Sequence, residues 1–428
     1  MRKHIYDDDW LYSAVLAYTK FSVRCAFRQF HVGGWERLPK DGSVILVSNH
    51  TGALMDPLVM LRAEGHKVVF MARGDIFKKP FVCRILSFLR ILPIYRVRDG
   101  LDAVRDKNTS SMEQAVETLV NRVPLCLYPE GTHRAKHSLL RLSKGTFHMA
   151  LEANRRIGGE WPVYIVPVGI EYSDYYRYHN DLDIEMGTPI NVSDVVREHT
   201  DLTEPQLINL LREMLTTGMS EVITYLPDDE DYEALWELTK VRTAQSAPLS
   251  GRDRRILNRH HVDRLLRVRL EKPEAFAQLK QAALEFKEER ERARVSVYST
   301  QPLARWRLIV GSLQSLIAMP LAVACLAMCW PVIIVAESIA SGIKDRVFRG
   351  TGRFGTFFFG MPLSAAVGAV LGACLFHNAW VAVALAILGF FSVPICYNYW
   401  ERLRRQVSHW RYTKSLGNKL KPLLHEHM

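Results

Sequence analysis

Two stretches of this 428-residue chain, Leu308 to Ala336 and Phe354 to Trp400, contain no Asp, Glu, Lys or Arg. Helices buried in a soluble core rarely run so long without charge, so the absence reads as a membrane region. Metal-type cysteine spacing is missing as well. Of the seven cysteines, Cys325, Cys329, Cys374 and Cys396 lie in the apolar blocks and Cys25, Cys83 and Cys126 are scattered. That pattern fits neither a zinc site nor a disulfide framework, and packing as small hydrophobes in a reducing compartment is expected. The chain has no G-x-S-x-G elbow, H-E-x-x-H pair or G-x-x-x-x-G-K-[ST] loop. Serine hydrolases, zincins and P-loop enzymes are therefore disfavoured. No small-residue cleavage site follows an apolar stretch at the N-terminus, where Met1-Arg2-Lys3 runs into Asp7-Asp8-Asp9, so a cleaved signal peptide is not expected.

Charge is plentiful in the first two thirds of the chain, and its formal net value is +11. Such an excess suits a phosphate-bearing partner or an anionic membrane surface. Nucleic acid has no motif behind it beyond positive charge, so no nucleic-acid partner is expected. Five segments follow from composition: an amphipathic, membrane-associated helical segment (1–32), an α/β domain (33–195), a charged helical extension (196–300), a transmembrane region (301–405) and a basic tail (406–428). From Trp10 to Phe30, apolar and aromatic residues mix with Lys20, Arg24 and Arg28 at roughly helical spacing, as in a surface-lying or core-packed helix.

Short apolar runs at Ser43 to Ser48, Lys67 to Met71, Val123 to Tyr128 and Val163 to Val168 read as buried strands. Helix-like stretches lie between them: Leu58 to Ala63, Phe81 to Leu89, Ser110 to Asn121 and Gly145 to Arg155. This alternation predicts an α/β fold with a largely parallel central sheet flanked by helices, its core closing near Pro189. Leu202 to Leu226 reads as helix, and Arg252 to Arg294 as helices dense in both charge signs. Of the charge-free blocks, the first is long enough to cross a bilayer of about 30 Å once, or to enter and return through a break at Pro320 or Pro331. The second could cross twice, with His377-Asn378 near a turn. Two to four spans or re-entrant segments are expected. The basic flanks Arg305-Arg307, Lys344 to Arg353 and Arg402 to Arg405 favour a cytoplasmic location for the soluble part.

Two constellations carry chemistry. Asn49-His50-Thr51-Gly52-Ala53-Leu54-Met55-Asp56-Pro57 directly follows the first strand. There an imidazole can take a proton from an attacking hydroxyl while an aspartate fixes its tautomer. Six positions is not a same-face helical spacing, so the pair must sit across a strand-to-helix turn, with Gly52 supplying backbone freedom. The second constellation, Leu127-Tyr128-Pro129-Glu130-Gly131-Thr132-His133-Arg134, again follows a strand. Its turn offers amides and a hydroxyl to an anion, and His133, Arg134 and Lys136 add positive charge.

Together with Leu92-Pro93-Ile94-Tyr95-Arg96 and Ile165-Val166-Pro167-Val168, these segments resemble, in order, the four sequence blocks of the glycerol-phosphate acyltransferase superfamily, the PlsC-like acyltransferases. The resemblance covers roughly Phe30 to Pro189. It implies that His50 and Asp56 form a catalytic dyad supported by Asn49 and Gly52. It also implies that Arg96, Glu130, Gly131, Thr132, His133 and Arg134 bind the acceptor, and that Pro167 lies by the acyl-donor site. This sequence departs from the pattern in three places. Five residues rather than four separate His50 from Asp56, a longer form similar to a subgroup that includes fungal glycerol-3-phosphate and dihydroxyacetone-phosphate acyltransferases. His133 stands where Arg usually follows Gly-Thr, and Arg90 stands where Gly is frequent.

The implied reaction moves a fatty acyl group from acyl-CoA or acyl carrier protein to a hydroxyl of glycerol 3-phosphate, with 1-acylglycerol 3-phosphate the alternative acceptor, in phospholipid synthesis. It needs no metal or cofactor. Expected partners are membrane lipids, the thioester donor and a glycerol-phosphate acceptor. The expected setting is a bacterial inner membrane or an endoplasmic reticulum. A lipid hydrolase lacks its elbow here, and a non-enzymatic membrane scaffold would require His50 and Asp56 to face apart.

Overall fold

The six residues Ser43–Ser48 (β2) are all buried, as expected of a strand covered on both faces of a parallel sheet. The computed structural model describes residues 4–7, 9–63, 68–94, 101–246, 250–301 and 303–415. Arg96, Tyr95 and most of the basic tail lie outside them. Before β2 come α1 (Trp10–Ala26) and β1 (Gln29–Gly33). After it come α2 (Met55–Ala63), β3 (Val69–Arg73), α3 (Pro80–Phe88), β4 (Ile91–Ile94), α4 (Leu101–Val120), β5 (Leu125–Leu127), α5 (Gly145–Ile157), β6 (Val163–Tyr172), β7 (Asp181–Met186), β8 (Ile190–Asn191), α6 (Val192–Glu198) and α7 (Glu204–Val222). The strands form one sheet in the order β1-β7-β6-β2-β5-β3-β4, with β8 also on β6.

β2 pairs parallel with β5 and β6, and β3 parallel with β4 and β5. β7 and β8 run antiparallel to β6. The sheet is thus mixed and mostly parallel. Its core draws Ile45 and Val47 from β2, Leu125 from β5 and Ile165 from β6. Onto these pack Leu119 of α4, Phe147 and Ala150 of α5, and Leu211 and Leu215 of α7. The chain divides into two compact units, and α6 and α7 belong with the sheet in a first unit that runs to Ile223. Closure therefore comes some thirty residues beyond the expected Pro189, because α7 supplies core leucines that no short apolar run announces. α1 buries Tyr12, Leu16, Thr19 and Val23 on one face and leaves Trp10, Leu11 and Phe21 exposed. It is a packed helix with apolar residues still facing outward.

The second unit holds residues 25–30, 176–181 and 224 onward. In it α8 (Tyr232–Ala244), α9 (Gly251–Glu271) and α10 (Pro273–Arg292) enclose a core of Leu235, Leu238, Val262, Leu265, Phe276 and Phe286. Charged as they are, these helices form a packed bundle rather than a solvated face. Glu237 is fully buried and takes Arg290 in a two-pronged ion pair (2.7 and 3.2 Å) and Lys240 at 2.8 Å.

Three helices, α11 (Arg305–Gly342), α12 (Phe348–Phe376) and α13 (Ala379–Ser415), are long and apolar enough to cross a membrane. The 38 residues of α11 extend for about 57 Å at the usual helical rise. α11 continues through Pro320 and Pro331, so neither proline breaks it into a re-entrant loop. The second apolar block does fold into two helices, with His377 in a left-handed conformation at the turn. Ile317, Phe359 and Trp380 stand 76–83% exposed on these helices, an apolar surface that suits lipid.

Candidate active site

In a parallel sheet the loops that follow neighbouring strands leave the same edge, and this is where ligands bind in open α/β folds. The register Val47↔Leu127 and Val47↔Pro167 puts the ends of β5 and β2 side by side next to β6, which runs on past them to Tyr172. Three segments far apart in sequence are thereby gathered at one edge. They are Asn49 to Asp56 after β2, Tyr128 to Arg134 after β5, and Tyr172 at the end of β6.

His50 Nδ1 lies 2.7 Å from Asp56 Oδ2. Asp56 is fully buried, whereas the His50 side chain keeps 20% exposure. The carboxylate accepts from the Thr51 amide (2.9 Å), from the Gly52 amide on both oxygens (3.0 and 2.8 Å) and from the Tyr172 hydroxyl (2.7 Å). Burial, and then the Asp56 charge, raise the Tyr172 pKa well above its ordinary value, which keeps this hydroxyl a donor. With every partner of Asp56 donating, Nδ1 carries the proton and Nε2 the lone pair. Asp56 stands in the first turn of α2, where the helix N-terminus favours negative charge.

Gly52 is required by space. A Cβ there would lie 2.5 Å from both Asp56 Oδ1 and the Tyr172 hydroxyl. The turn is completed by Ala53 at φ +53° and by the Met55 amide donating to the Gly52 carbonyl at 3.0 Å.

The loop after β5 is tied to His50 through main chain. Glu130 accepts from the His50 amide (3.0 Å) and the Leu140 amide (3.0 Å), and the Arg134 amide donates to the His50 carbonyl (2.9 Å). Burial raises the Glu130 pKa, although the Leu140 and His50 amides and the charges of His50 and Arg134 oppose it. Through these two amides Glu130 fixes the loop after β5 against the His50 main chain. Gly131 has φ +67°, a conformation that favours glycine. Thr132 is exposed. The Tyr128 ring lies 4.7 Å from the His50 ring, and His133 meets His50 edge-on at 5.6 Å. The Arg134 guanidinium donates to Ser138 Oγ at 2.8 Å.

Asn49 extends the sheet by its side chain. It donates to the Ile170 carbonyl (2.9 Å) and accepts the Ile170 amide (2.7 Å). Pro167 is buried in β6, where a Cβ on Gly187 would meet its ring at 2.8 Å and one on Gly218 at 3.0 Å. It fills packed interior of the sheet. Its missing N–H is tolerated in the gap between the β7 and β8 pairings. Arg90, where Gly is frequent, has φ +60° and is buried, donating to the Asp7 carbonyl at 2.8 Å. Arg96 cannot be placed, lying outside the described residues. Sequence reasoning missed Tyr172, the fourth donor to Asp56. Its only signal was an aromatic hydroxyl at the end of the strand after the Pro167 block.

Residues 29–171 match the family model described as Acyltransferase. The 1-acyl-sn-glycerol-3-phosphate acyltransferase of Borreliella burgdorferi is 26% identical over 32% of this chain and 52% of that protein. The proteins named 1-acyl-sn-glycerol-3-phosphate acyltransferase alpha of Mus musculus and Homo sapiens are 25% and 29% identical, over 44% and 34% of this chain and 65% and 47% of their own lengths. The chain thus spans about half to two thirds of the relatives it matches. A crystal structure of the 1-acyl-sn-glycerophosphate acyltransferase PlsC from Thermotoga maritima aligns with 50% of this chain and 79% of that one, at 21% identity and a TM-score of 0.36. The segment matched by the acyltransferase family model, Gln29 to Glu171, is the one that carries both the His50–Asp56 pair and the Glu130 loop.

Proposed function

We propose that the protein transfers a fatty acyl group from a thioester, acyl-CoA or acyl carrier protein, to the free hydroxyl of 1-acylglycerol 3-phosphate at a membrane surface. The observation that carries this reading is the 2.7 Å contact between His50 Nδ1 and a buried Asp56 that accepts three further donors. It leaves Nε2 as a base of fixed tautomer. His50 removes the hydroxyl proton, the oxygen attacks the thioester carbonyl, the C–S bond breaks, and the thiolate leaves with the proton held by the imidazolium. The Asp56 charge stabilises that imidazolium. No covalent acyl-enzyme is formed. His133, Arg134 and Arg96 supply cationic character for the acceptor phosphate.

The names of the relatives favour 1-acylglycerol 3-phosphate over glycerol 3-phosphate, the acceptor suggested by the longer His-to-Asp spacing. A scaffold without activity would have no use for a buried carboxylate aimed at a half-open imidazole. The three apolar helices suit an enzyme whose acyl chains and product partition into lipid.

The test is acyl transfer from labelled palmitoyl-CoA, or palmitoyl-acyl carrier protein, by detergent-purified full-length protein. Glycerol 3-phosphate, dihydroxyacetone phosphate and 1-acylglycerol 3-phosphate are offered separately, with His50→Ala alongside. Transfer to 1-acylglycerol 3-phosphate that falls by about 10²-fold or more in the variant is expected. Transfer to another acceptor replaces the substrate assignment. Full activity in His50→Ala, or none with any acceptor and donor, overturns the mechanism.

A further inference from the structure

In the second unit a cavity of about 460 Å³ opens where the apolar part of α13 gives way to charge, within the usual size range of ligand sites. One side is basic. Arg402 and Arg405, three residues apart and so on one helix face, border it with Arg28. The other side is apolar, formed by Leu321 and Ala318 of α11 and Ile395 of α13. Two carboxylates partner these arginines, and one of them, Glu401, lines the cavity itself. Asp181 pairs with Arg28 and with Arg254 (3.0 Å), and Glu401 pairs with Arg404 and Arg405 (3.0 Å). Arg402 donates to the Gln314 amide oxygen. Five guanidinium groups thus face two carboxylates.

Arg28 Nε is buried with no hydrogen-bond acceptor among the described residues, which costs free energy unless a ligand accepts it. Burial, and then the charge of Arg405, lower the Arg28 pKa against the pull of Asp181. A bound anion would relieve this crowding of like charge. The apolar wall continues onto α11 surface that is open to lipid, with Leu321 49% and Ile317 79% exposed.

We infer that this cavity binds an anionic phosphoglyceride, its phosphate held by Arg28, Arg402 and Arg405 and its acyl chains lying along α11 beside Leu321. Guanidinium forks match phosphate oxygens, and the apolar half of the cavity selects a phosphate that carries hydrocarbon. None of the lining residues comes from the unit that holds His50.

The test titrates full-length protein in detergent with dioleoyl phosphatidylglycerol, dioleoyl phosphatidylcholine or inorganic phosphate and reads bound lipid by native mass spectrometry. Phosphatidylglycerol is chosen because it is neither acceptor nor product of the proposed reaction. Binding about tenfold or more tighter than phosphatidylcholine is expected, and Arg402→Gln/Arg405→Gln should abolish that preference. Arg402→Gln alone, which removes only a contact to Gln314, serves if the double variant melts early. Leu321→Gln should weaken the lipid without creating affinity for inorganic phosphate. Equal retention of both lipids, or an unchanged preference in a folded arginine variant, overturns the site. Competition by inorganic phosphate at the lipid's own concentration overturns its assignment to lipid.

Discussion

At Asp56 all the hydrogen bonds point inward to one carboxylate, which ties the position of His50 to that group's charge and shape. Asp56→Asn keeps the size but replaces one acceptor oxygen by a donor. It should reverse or break the bond to Nδ1 and lower kcat by about 10²–10⁴-fold. Steady-state kinetics should place this loss in kcat, with KM nearly unchanged. Gly52→Ala drives a methyl group to 2.5 Å from Asp56 Oδ1 and the Tyr172 hydroxyl. It should cost about 1–3 kcal/mol in stability, read from denaturant unfolding, together with most of the activity. Glu130 gives a pH signature. Its folded pKa lies above the usual 4.5, so its protonated form favours folding below 4.5 and that contribution is lost as pH rises through the folded value. Glu130→Gln removes the loss. Thermal melts across this acid range should show the variant at its greatest disadvantage at low pH and closing on wild type as pH rises. A constant difference would mean that Glu130 is not desolvated. The residues of the first block were legible because they are adjacent in sequence and follow a strand. Tyr172 was not, since only the β2:β6 register brings it to Asp56.

Elements were readable where a local pattern exists. Ser43–Ser48 is a strand with the expected bounds, and the helices from Gly145 and from Leu202 appear within a few residues of expectation. β1, β4, β7 and β8 were not anticipated. β7, Asp-Leu-Asp-Ile-Glu-Met, is buried throughout although every second residue is acidic. Its carboxylates meet partners that sequence alone does not supply: Asp183 takes His31 at 2.6 Å and Glu185 takes Arg37 at 3.4 Å. In the apolar helices the glycines mark contacts. A Cβ on Gly368 would fall 2.1 Å from the Leu385 carbonyl oxygen, and one on Gly372 would fall 2.4 Å from Ala382 Cα. Small residues permit this close approach of α12 and α13. Gly368→Val should therefore separate the two helices and lower the midpoint of thermal unfolding in detergent, at a cost of about 1–3 kcal/mol. An unchanged midpoint would mean that the pair is not closely packed.

Across the whole chain, the division between charged and charge-free sequence foretold a membrane part, but not the boundary between the two units. The extension after Thr224 belongs with the apolar helices: Ser296 and Ser299 both bond Ser408 of α13, at 2.8 and 2.7 Å. Glu237→Ala would leave buried Arg290 with only the exposed Glu291, at 3.5 Å, as a carboxylate among the described residues and should destabilise the second unit by about 3–5 kcal/mol. Limited proteolysis should then cut between residues 224 and 300, and an unaltered pattern would mean that the ion pair is dispensable. The protein should also resist alkaline carbonate extraction from membranes and dissolve only with detergent. Finally, the order of the strands sets a timetable for synthesis. His50 leaves the ribosome before β6, and the Asn49 latch on Ile170 and the Tyr172 hydroxyl arrive only with that strand. At ordinary elongation rates the 122 positions from His50 to Tyr172 (172 − 50) take about 6–24 s. During that interval a nascent chain carries the histidine and aspartate with the Thr51 and Gly52 amides but without the Tyr172 hydroxyl and the Asn49 latch, and any product truncated before Val163 would keep them in that state.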